Sequence, residues 1–337
     1  MTPTIAVVIP NRNDSGPLRK CLDSVLNQDV VPDQIIVVDD QSTDDSQAVI
    51  KKKIRNIPGA KIIINPTRLG TMGALNEGLK HATCDYALFL SSNDYLENGI
   101  FGRAKSCIAA TGFPGVWSAM VWTVDENGKH SRLYPSPVVA LSDTYLSTEK
   151  CIRLAMSIGH WFTGTTLVYH RQTLQGIGGF DTAYQGLADL FAALTVASIR
   201  GASFSPEPLG VMRRHADGLM WQTSTNLLNL DEILNRMIET GPKLSPKLFS
   251  PRFCELMQHR IRFTAIRAFQ DNSWQAHARS WTGYRYKLLR VVSPFLGNYR
   301  KLQLITAFLL LRPFRDAINI IWYRLFGAVY IAARRRR

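Results

Sequence analysis

Short apolar runs and spaced apolar positions alternate along the N-terminal part of the chain. Residues 5–9 are an apolar, β-branched run that Pro10 stops. Over 17–28 the apolar positions fall at 18, 21, 22, 25 and 26, the spacing of one helical face. Residues 34–38 form a second run ending in Asp39 and Asp40, and 42–45 read as a turn that caps a helix at 46–54. A third run at 61–64, a helix over 73–81 and a fourth run at 86–90 continue the alternation. Strand and helix alternating at this spacing predict βαβ units, hence a mostly parallel sheet with right-handed crossovers. From 98 to 165 the rhythm is less regular. Strands are expected at 116–124 and 167–170, a glycine turn at 176–179 and an apolar helix at 187–199. Pro206 and Pro208 break the chain before a last extended stretch at 210–215. Beyond about 220 no βαβ pattern returns. Helical segments rich in Arg, Trp and Tyr follow, with Pro242, Pro246 and Pro251 marking a linker over 240–252.

The expected organisation is an α/β domain over 1–220, a helical extension over 221–300 and an amphipathic basic tail over 301–337. A hydrophobic content of 46% and a charged content of 20% are globular values, and 337 residues suffice for a full core. Charge changes the picture. Residues 1–220 carry 20 Lys and Arg against 20 Asp and Glu, whereas 221–337 carry 20 against 6 and so hold the whole net charge of +14. Such asymmetry suits a phosphate-rich partner surface, with a solvated basic face as the plainer reading. Within the tail, 302–311 is too short to span a bilayer and 317–333 is interrupted by Arg324. Ile318, Ile321, Leu325, Ala328, Val329 and Ala332 share one helical face, with Trp322 and Tyr323 nearby and four arginines closing the chain. That pattern predicts a helix lying in a membrane interface. A helix hairpin packed in a core or on a second copy of the chain is the alternative, and a membrane-spanning helix the third reading. No motif supports nucleic acid. The five cysteines are scattered and lack CxxC spacing, which argues for reduced thiols in a cytoplasm. The N-terminus lacks the basic stretch and long apolar run of a signal peptide.

Three of the expected strands end in polar clusters: Pro10-Asn11-Arg12-Asn13, Asp39-Asp40-Gln41-Ser42, and Ser91 to Asp94. The carboxyl ends of parallel strands share one edge, where open α/β sheets bind ligands. No GxGxxG follows the first strand and no GxxxxGK[ST] occurs anywhere, which counts against dinucleotide dehydrogenases and P-loop NTPases. Asp39 and Asp40 either accept hydrogen bonds from ribose hydroxyls or a base N–H, or simply cap the next turn. Asp94 is the one carboxylate of its cluster. That cluster reads as a metal site short of charge, or as a loop with a helix cap.

In order and spacing, AVVIPNRND, IIVVDDQSTDDS, NPTRLGTMGALNEGL, FLSSNDYL and IGGFD resemble the family 2 glycosyltransferases, over about residues 4–216. The resemblance implies the GT-A fold, with its Rossmann-like, mostly parallel central sheet. It implies an inverting transfer from a nucleotide-diphosphate sugar, a UDP-sugar first, to an acceptor hydroxyl. Pro10, Asn11 and Asn13 would lie along the nucleoside, Asp39 would accept from the base edge, and Arg68 would lie near the base or diphosphate. Residues 91–94 stand at the family's Asp-x-Asp position. There Ser92 would touch the nucleotide, and Asn93 and Asp94 would hold a divalent cation, Mn2+ or Mg2+, on the diphosphate. The family is usually acidic where this chain has Ser91 and Asn93, which implies a weakly held metal. In GLADLF, Ala188 replaces the family's usual Glu, and Asp189 keeps the place of the catalytic base at a helix start. His215, in MRRHADG, matches a histidine at the metal and diphosphate. With Arg213 and Arg214 it would neutralise the leaving group. Trp161 and Phe162 read as an apolar platform for a sugar ring, or as core. With the tail, the resemblance implies a cytoplasmic enzyme, peripheral on the inner face of the membrane, acting on a lipid-linked or surface-polysaccharide glycan. Ser91, Asn93 and Ala188 keep open a rival, a degenerate module that binds a nucleotide sugar or partner without turnover. A nucleotidyltransferase would need a phosphate loop rich in Gly and Lys after the first strand, and none is present.

Overall fold

The computed structural model describes residues 2–125, 130–134, 136–213, 223, 226–268, 281–282, 284–292, 295, 300–311, 318, 321–322, 325 and 329. The chain divides into two compact units. One comprises Met1–Cys151, His160–Tyr184 and Ala188–His215; the other comprises Ile152–Gly159, Gln185–Leu187 and Ala216–Arg337.

The first unit begins with the expected alternation: β1 (Ile5–Asn11), α1 (Ser15–Leu26), β2 (Gln34–Asp39), α2 (Ser46–Ile54), β3 (Ala60–Ile64), α3 (Gly70–His81) and β4 (Tyr86–Phe89). The less regular stretch then resolves into β5 (Tyr95–Leu96), α4 (Ile100–Ala110), β6 (Val116–Val124), β7 (His130–Leu133), β8 (Thr144–Leu146) and α5 (Thr148–Ile158), of which the part from Ile152 on belongs to the second unit. After it come β9 (Val168–His170), α6 (Arg171–Gly176), α7 (Ala188–Arg200) and β10 (Ala202–Arg213). The strand order is β3-β2-β1-β4-β9-β6-β10-β5, with β7 on β6 and β8 on β10.

β1 to β4 pair in parallel, as do β6 and β10. β9 runs antiparallel between β4 and β6, and β5, β7 and β8 are antiparallel to their neighbours. The parallel half is as expected; the sheet as a whole is mixed. The reason is connectivity. β9 is entered from a 3-10 turn, Gly164–Thr166, at the carboxyl end of β4, with no crossover helix to carry the chain to the other edge. A strand entered there can only run antiparallel to β4. Pro206 and Pro208 do not break β10. They sit where its register with β6 shifts, at bulges where no ladder N–H is needed.

β1 is buried along its whole length and β2 along nearly all of it, since apolar residues face both ways. Ile5, Val7 and Ile9 pack with Leu18, Leu22 and Val25 of α1 and with Val49 and Ile50 of α2. Burying each such side chain contributes about 1.5–3 kcal/mol. On α3, a Cβ at Gly78 would overlap Val8 Cγ1, so this helix lies directly on β1. The register sets Asn11 against Asp39 and Val8 against Phe89. The carboxyl ends of β1, β2 and β4 therefore emerge together. Two antiparallel steps through β9 bring the ends of β6 and β10 to the same edge.

The second unit is helical: α8 (Leu227–Leu244), α9 (Pro251–Ala268), α10 (Tyr284–Val292) and α11 (Arg300–Leu311). The expected linker shrinks to a few residues. Pro242 lies in the last turn of α8, and Pro251 opens α9, where its missing N–H costs nothing. Arg262 of α9 is the unit's polar anchor. Its guanidinium donates to Asp231 Oδ1 at 2.7 Å and to the Tyr286 hydroxyl at 3.2 Å, while Trp281 Nε1 donates to Asp231 Oδ2 at 3.1 Å. α11 buries Gln303, Ala307 and Leu311 and exposes Leu302, Ile305 and Leu309. Among the described residues no helix is long and apolar enough to cross a membrane. All five cysteines are buried and free.

Candidate active site

The ends of β1 and β2 are laced together by short polar side chains. Asn11 Nδ2 donates to Asp39 Oδ2 at 3.1 Å and to Ser42 Oγ at 3.0 Å. The Asn13 N–H donates to Ser42 Oγ at 3.0 Å, and Asn13 Oδ1 accepts from the Thr43 N–H at 2.8 Å. Asn13 (φ 56°) and Gln41 (φ 62°) are left-handed, which curls both strand ends over this edge. Asp39 is fully buried. Besides Asn11, it accepts from the Ser42 N–H at 3.0 Å and from Gln47 Nε2 at 3.1 Å. A carboxylate offers about four acceptor positions, so one remains open. Asn11 Oδ1 is buried without a partner among the described residues. Pro10 is buried beside it, and Arg68 is exposed on the loop before α3. Asp40 takes the capping role. Its oxygens accept from Asn65 Nδ2 and from the N–H groups of Leu69 and Gly70, each at 2.8 Å, at the start of α3.

After β4 the 91–94 loop turns its polar atoms on one another. Ser91 Oγ donates to Asn93 Oδ1 at 2.8 Å, and Ser92 Oγ donates to Asp14 Oδ2 at 2.6 Å. Asp94 is 6% exposed. Its Oδ2 accepts from the Thr165 hydroxyl at 2.7 Å and its Oδ1 from the Arg213 N–H at 2.9 Å. Burial pushes the Asp94 carboxyl up to about 6 against these hydrogen bonds and the Arg213 charge, which pull it down.

A divalent cation needs several oxygens converging from outside the loop, usually with carboxylate charge. Here Ser91 and Asn93 are neutral and bonded to each other, and Asp94 is the one carboxylate, each of its oxygens already accepting a hydrogen bond. Among the described residues no three His, Cys, Asp or Glu side chains could hold a metal. The metal expectation at Asn93 and Asp94 therefore does not fit the donors as placed. His215 and Arg214, expected beside them, lie outside the described residues.

Asp189 sits in the first turn of α7, half-buried. Its Oδ1 accepts from the Leu190 N–H at 2.7 Å. A Cβ added to Gly164 would stand 3.2 Å from its Oδ2, so glycine keeps that oxygen clear. Burial raises the Asp189 pKa above the usual carboxylate range, partly offset by the Leu190 N–H. The Tyr169 hydroxyl donates to the Asp189 carbonyl at 3.2 Å and steadies the helix start.

One turn organises these parts, and sequence reasoning missed it. Gly164 leaves room for Asp189, Thr165 holds Asp94, and Thr166 Oγ1 donates to the Ala119 carbonyl of β6 at 2.6 Å. Its signal is the Gly-Thr-Thr run just before a strand. Asp14 was missed likewise, although it stands inside the NRND cluster. The NEGL and IGGFD motifs meet beneath the site. Asn76 donates to the Phe180 carbonyl at 2.7 Å and accepts its N–H at 2.9 Å, while Phe180 packs edge-on against Phe89 at 4.8 Å. Trp161 is 1% exposed and tilted against Phe162 at 4.3 Å, so its ring is core rather than a platform for a sugar.

A mixed α/β sheet with polar loops gathered at the carboxyl ends of β1, β2 and β4 is the GT-A arrangement. Two solved structures share this fold. A mannosyltransferase from Pyrobaculum calidifontis, in complex with GDP-Man and Mn2+, has a TM-score of 0.56 at 20% identity, over 96% of this chain and 88% of that one. TarS 1–349 of S. aureus, in complex with UDP-GlcNAc, has a TM-score of 0.54 at 17% identity, over 93% and 92%. The family model for Glycosyl transferase family 2 matches residues 6–170, so this part of the chain is a domain of that family. A GalNAc(5)-diNAcBac-PP-undecaprenol beta-1,3-glucosyltransferase of Campylobacter jejuni is 33% identical over 98 residues, 29% of this chain and 32% of that relative. The chain thus spans about a third of that relative's length.

Proposed function

We propose that this chain transfers a sugar from a nucleoside-diphosphate donor to an acceptor hydroxyl with inversion, and that Asp189 is the general base. The observation that carries the reading is Asp189 Oδ2. Among the described residues it makes no hydrogen bond, and it faces the turn whose next residue fixes the 91–94 loop. In the transfer, Oδ2 takes the proton of the acceptor hydroxyl. The hydroxyl oxygen bonds the anomeric carbon from the face opposite the diphosphate, and the bond from that carbon to the phosphate oxygen breaks. The nucleoside diphosphate leaves with the electron pair. The raised pKa makes Asp189 a stronger base than an exposed carboxylate.

The nucleoside would lie along Asn11, Asn13 and Asp39, with Arg68 and Ser92 beside it. UDP is the first donor nucleotide to test and GDP the second, since one neighbour holds each type. Mn2+ or Mg2+ is the family's means of drawing off diphosphate charge. The donors at Asn93 and Asp94 suit that role poorly, which moves the work toward the basic side chains at this edge. Replacing Asp189 with Asn should lower sugar transfer by about 10²- to 10⁴-fold, the usual worth of a positioned base. Nucleotide release by chromatography reads it; full activity in that variant would sink the assignment, and the wild-type rate should fall in acid above the ordinary carboxylate range.

The acceptor we favour is a lipid-linked or surface-polysaccharide glycan, reached from the inner face of the cytoplasmic membrane. Two stripes of exposed apolar residues support this: Leu302, Ile305 and Leu309, and then Ile318, Ile321, Trp322, Leu325 and Val329. Both lie in the strongly basic part of the chain. Flotation with anionic liposomes should carry the full chain but not a chain ending at 300. Equal flotation of both removes the membrane reading and leaves a second copy of the chain as the partner of these stripes.

A further inference from the structure

We propose that in this chain the Arg213 guanidinium, rather than a divalent cation, supplies the counter-charge for the donor's diphosphate. This rests on the glycosyltransferase reading and specifies how its donor is held. The loop offers a cation a single carboxylate, and its polar groups are turned on partners inside the protein: Ser91 on Asn93, Ser92 on Asp14, and Asp94 on Thr165 and the Arg213 N–H. The last of these bonds has a second consequence. It pins the backbone of Arg213, the final residue of β10, against the loop where the diphosphate is expected.

The side chain then begins at a fixed point on the binding edge. Its Nε–H is buried and has no partner among the described residues. A buried donor without an acceptor is unfavourable until a ligand satisfies it. A guanidinium presents its N–H groups as a planar fork that matches two phosphate oxygens and, unlike lysine, pairs with them in a fixed orientation. Its charge also reaches this loop, since it counts among the influences that lower the otherwise raised Asp94 pKa. Asp94 is then a positioning residue: it holds Arg213 and the Gly164–Thr166 turn instead of ligating a metal.

Calorimetric titration of the full chain with UDP, and separately with GDP, in EDTA and in Mn2+, tests the assignment. The expected result is a dissociation constant that differs by no more than about threefold between EDTA and Mn2+ for the nucleotide that binds. Arg213→Met should weaken it by about ten- to a hundredfold, the loss expected for a charged hydrogen bond. Arg213→Lys should fall between the two. Both variants keep the backbone N–H to Asp94, and their thermal midpoints check that the fold is retained. Binding that requires Mn2+, or an Arg213→Met variant that binds like the wild type, overturns the proposal alone. Binding of neither nucleotide under either condition overturns the transferase reading itself, and the proposal with it.

Discussion

Replacing Asp94 with Asn separates a buried structural carboxylate from a metal ligand. The amide is isosteric. Its carbonyl can accept the Arg213 N–H, and its NH2 can donate to the Thr165 hydroxyl, which rotates to accept. What changes is charge. Burial puts the Asp94 pKa at about 6, against an ordinary value of 3.8. The folded protein thus binds this proton more tightly than the unfolded chain. The stability it contributes is fully present below the unfolded pKa and is lost as pH rises from about 4 to about 6. At roughly 1.4 kcal/mol per pKa unit, ionised Asp94 costs the fold up to about 3 kcal/mol at neutral pH. The stability of Asp94→Asn relative to wild type should therefore rise by about 1–3 kcal/mol between pH 4 and 7. Urea denaturation of both proteins at four pH values measures it, and taking the difference cancels every other titrating group. A difference that stays flat across this range would refute the argument, as would an Asn variant several kcal/mol less stable at pH 7. Nucleotide affinity of the variant should stay within about threefold of wild type if Asp94 acts only through position.

Two further substitutions probe the supports of the site and of the helical unit. Gly164→Ala places a methyl group 3.2 Å from Asp189 Oδ2; turnover should fall at least about tenfold with donor affinity unchanged, at a stability cost of about 1–3 kcal/mol. Steady-state kinetics showing a higher KM at unchanged kcat would mean that Gly164 serves the donor instead. Asp231→Ala strips Arg262, only 11% exposed at its side chain, of its carboxylate partner; a buried charge left alone costs about 3–5 kcal/mol. Denaturation followed by tryptophan fluorescence should show that loss, and a change below about 1 kcal/mol would mean that the cation–π contacts with Trp281 and Tyr286 suffice.

The fold was legible where one rhythm governs a whole element. β1 to β4 are short apolar runs with amphipathic helices between them, and a parallel arrangement is their one economical packing. Periodicity failed where tertiary context overrides it. β10 contains Pro206 and Pro208, residues that exclude a strand locally, yet its bulges place both where no ladder hydrogen bond is needed. β9 has only three residues, and its direction follows from where the Gly164–Thr166 turn delivers the chain, a fact no local pattern holds. Pro242 reads as a break and lies in the last turn of α8, where it forgoes the bond to the carbonyl four residues back and the helix ends two residues later.

For the candidate site, residue type and spacing gathered the strand-end clusters at one edge of the sheet, as the fold does, but did not show which of their atoms are still free. Asp39, Asp40 and Asp94 look alike as carboxylates at strand ends. In the fold they diverge: Asp40 caps α3 with both oxygens, Asp39 accepts three bonds, from Asn11, Ser42 and Gln47, and Asp94 accepts one bond on each oxygen, from Thr165 and from the Arg213 backbone. Chemistry depends on the acceptor capacity left after folding, and that remainder is set by partners far away in the chain, 71 residues for Thr165 and 119 for Arg213. The substitutions at Ser91 and Asn93 take a different meaning in this light. Once the loop is neutral its polar groups can satisfy one another, and a carboxylate beside it can be buried without repelling its neighbours. A charge-poor 91–94 loop and a strand-end arginine with an unpaired Nε–H are then two halves of one arrangement. Introducing acid at 91 and 93 alone would place new negative charge beside a buried Asp94 and, on the proposed role of Arg213, beside the donor's phosphates.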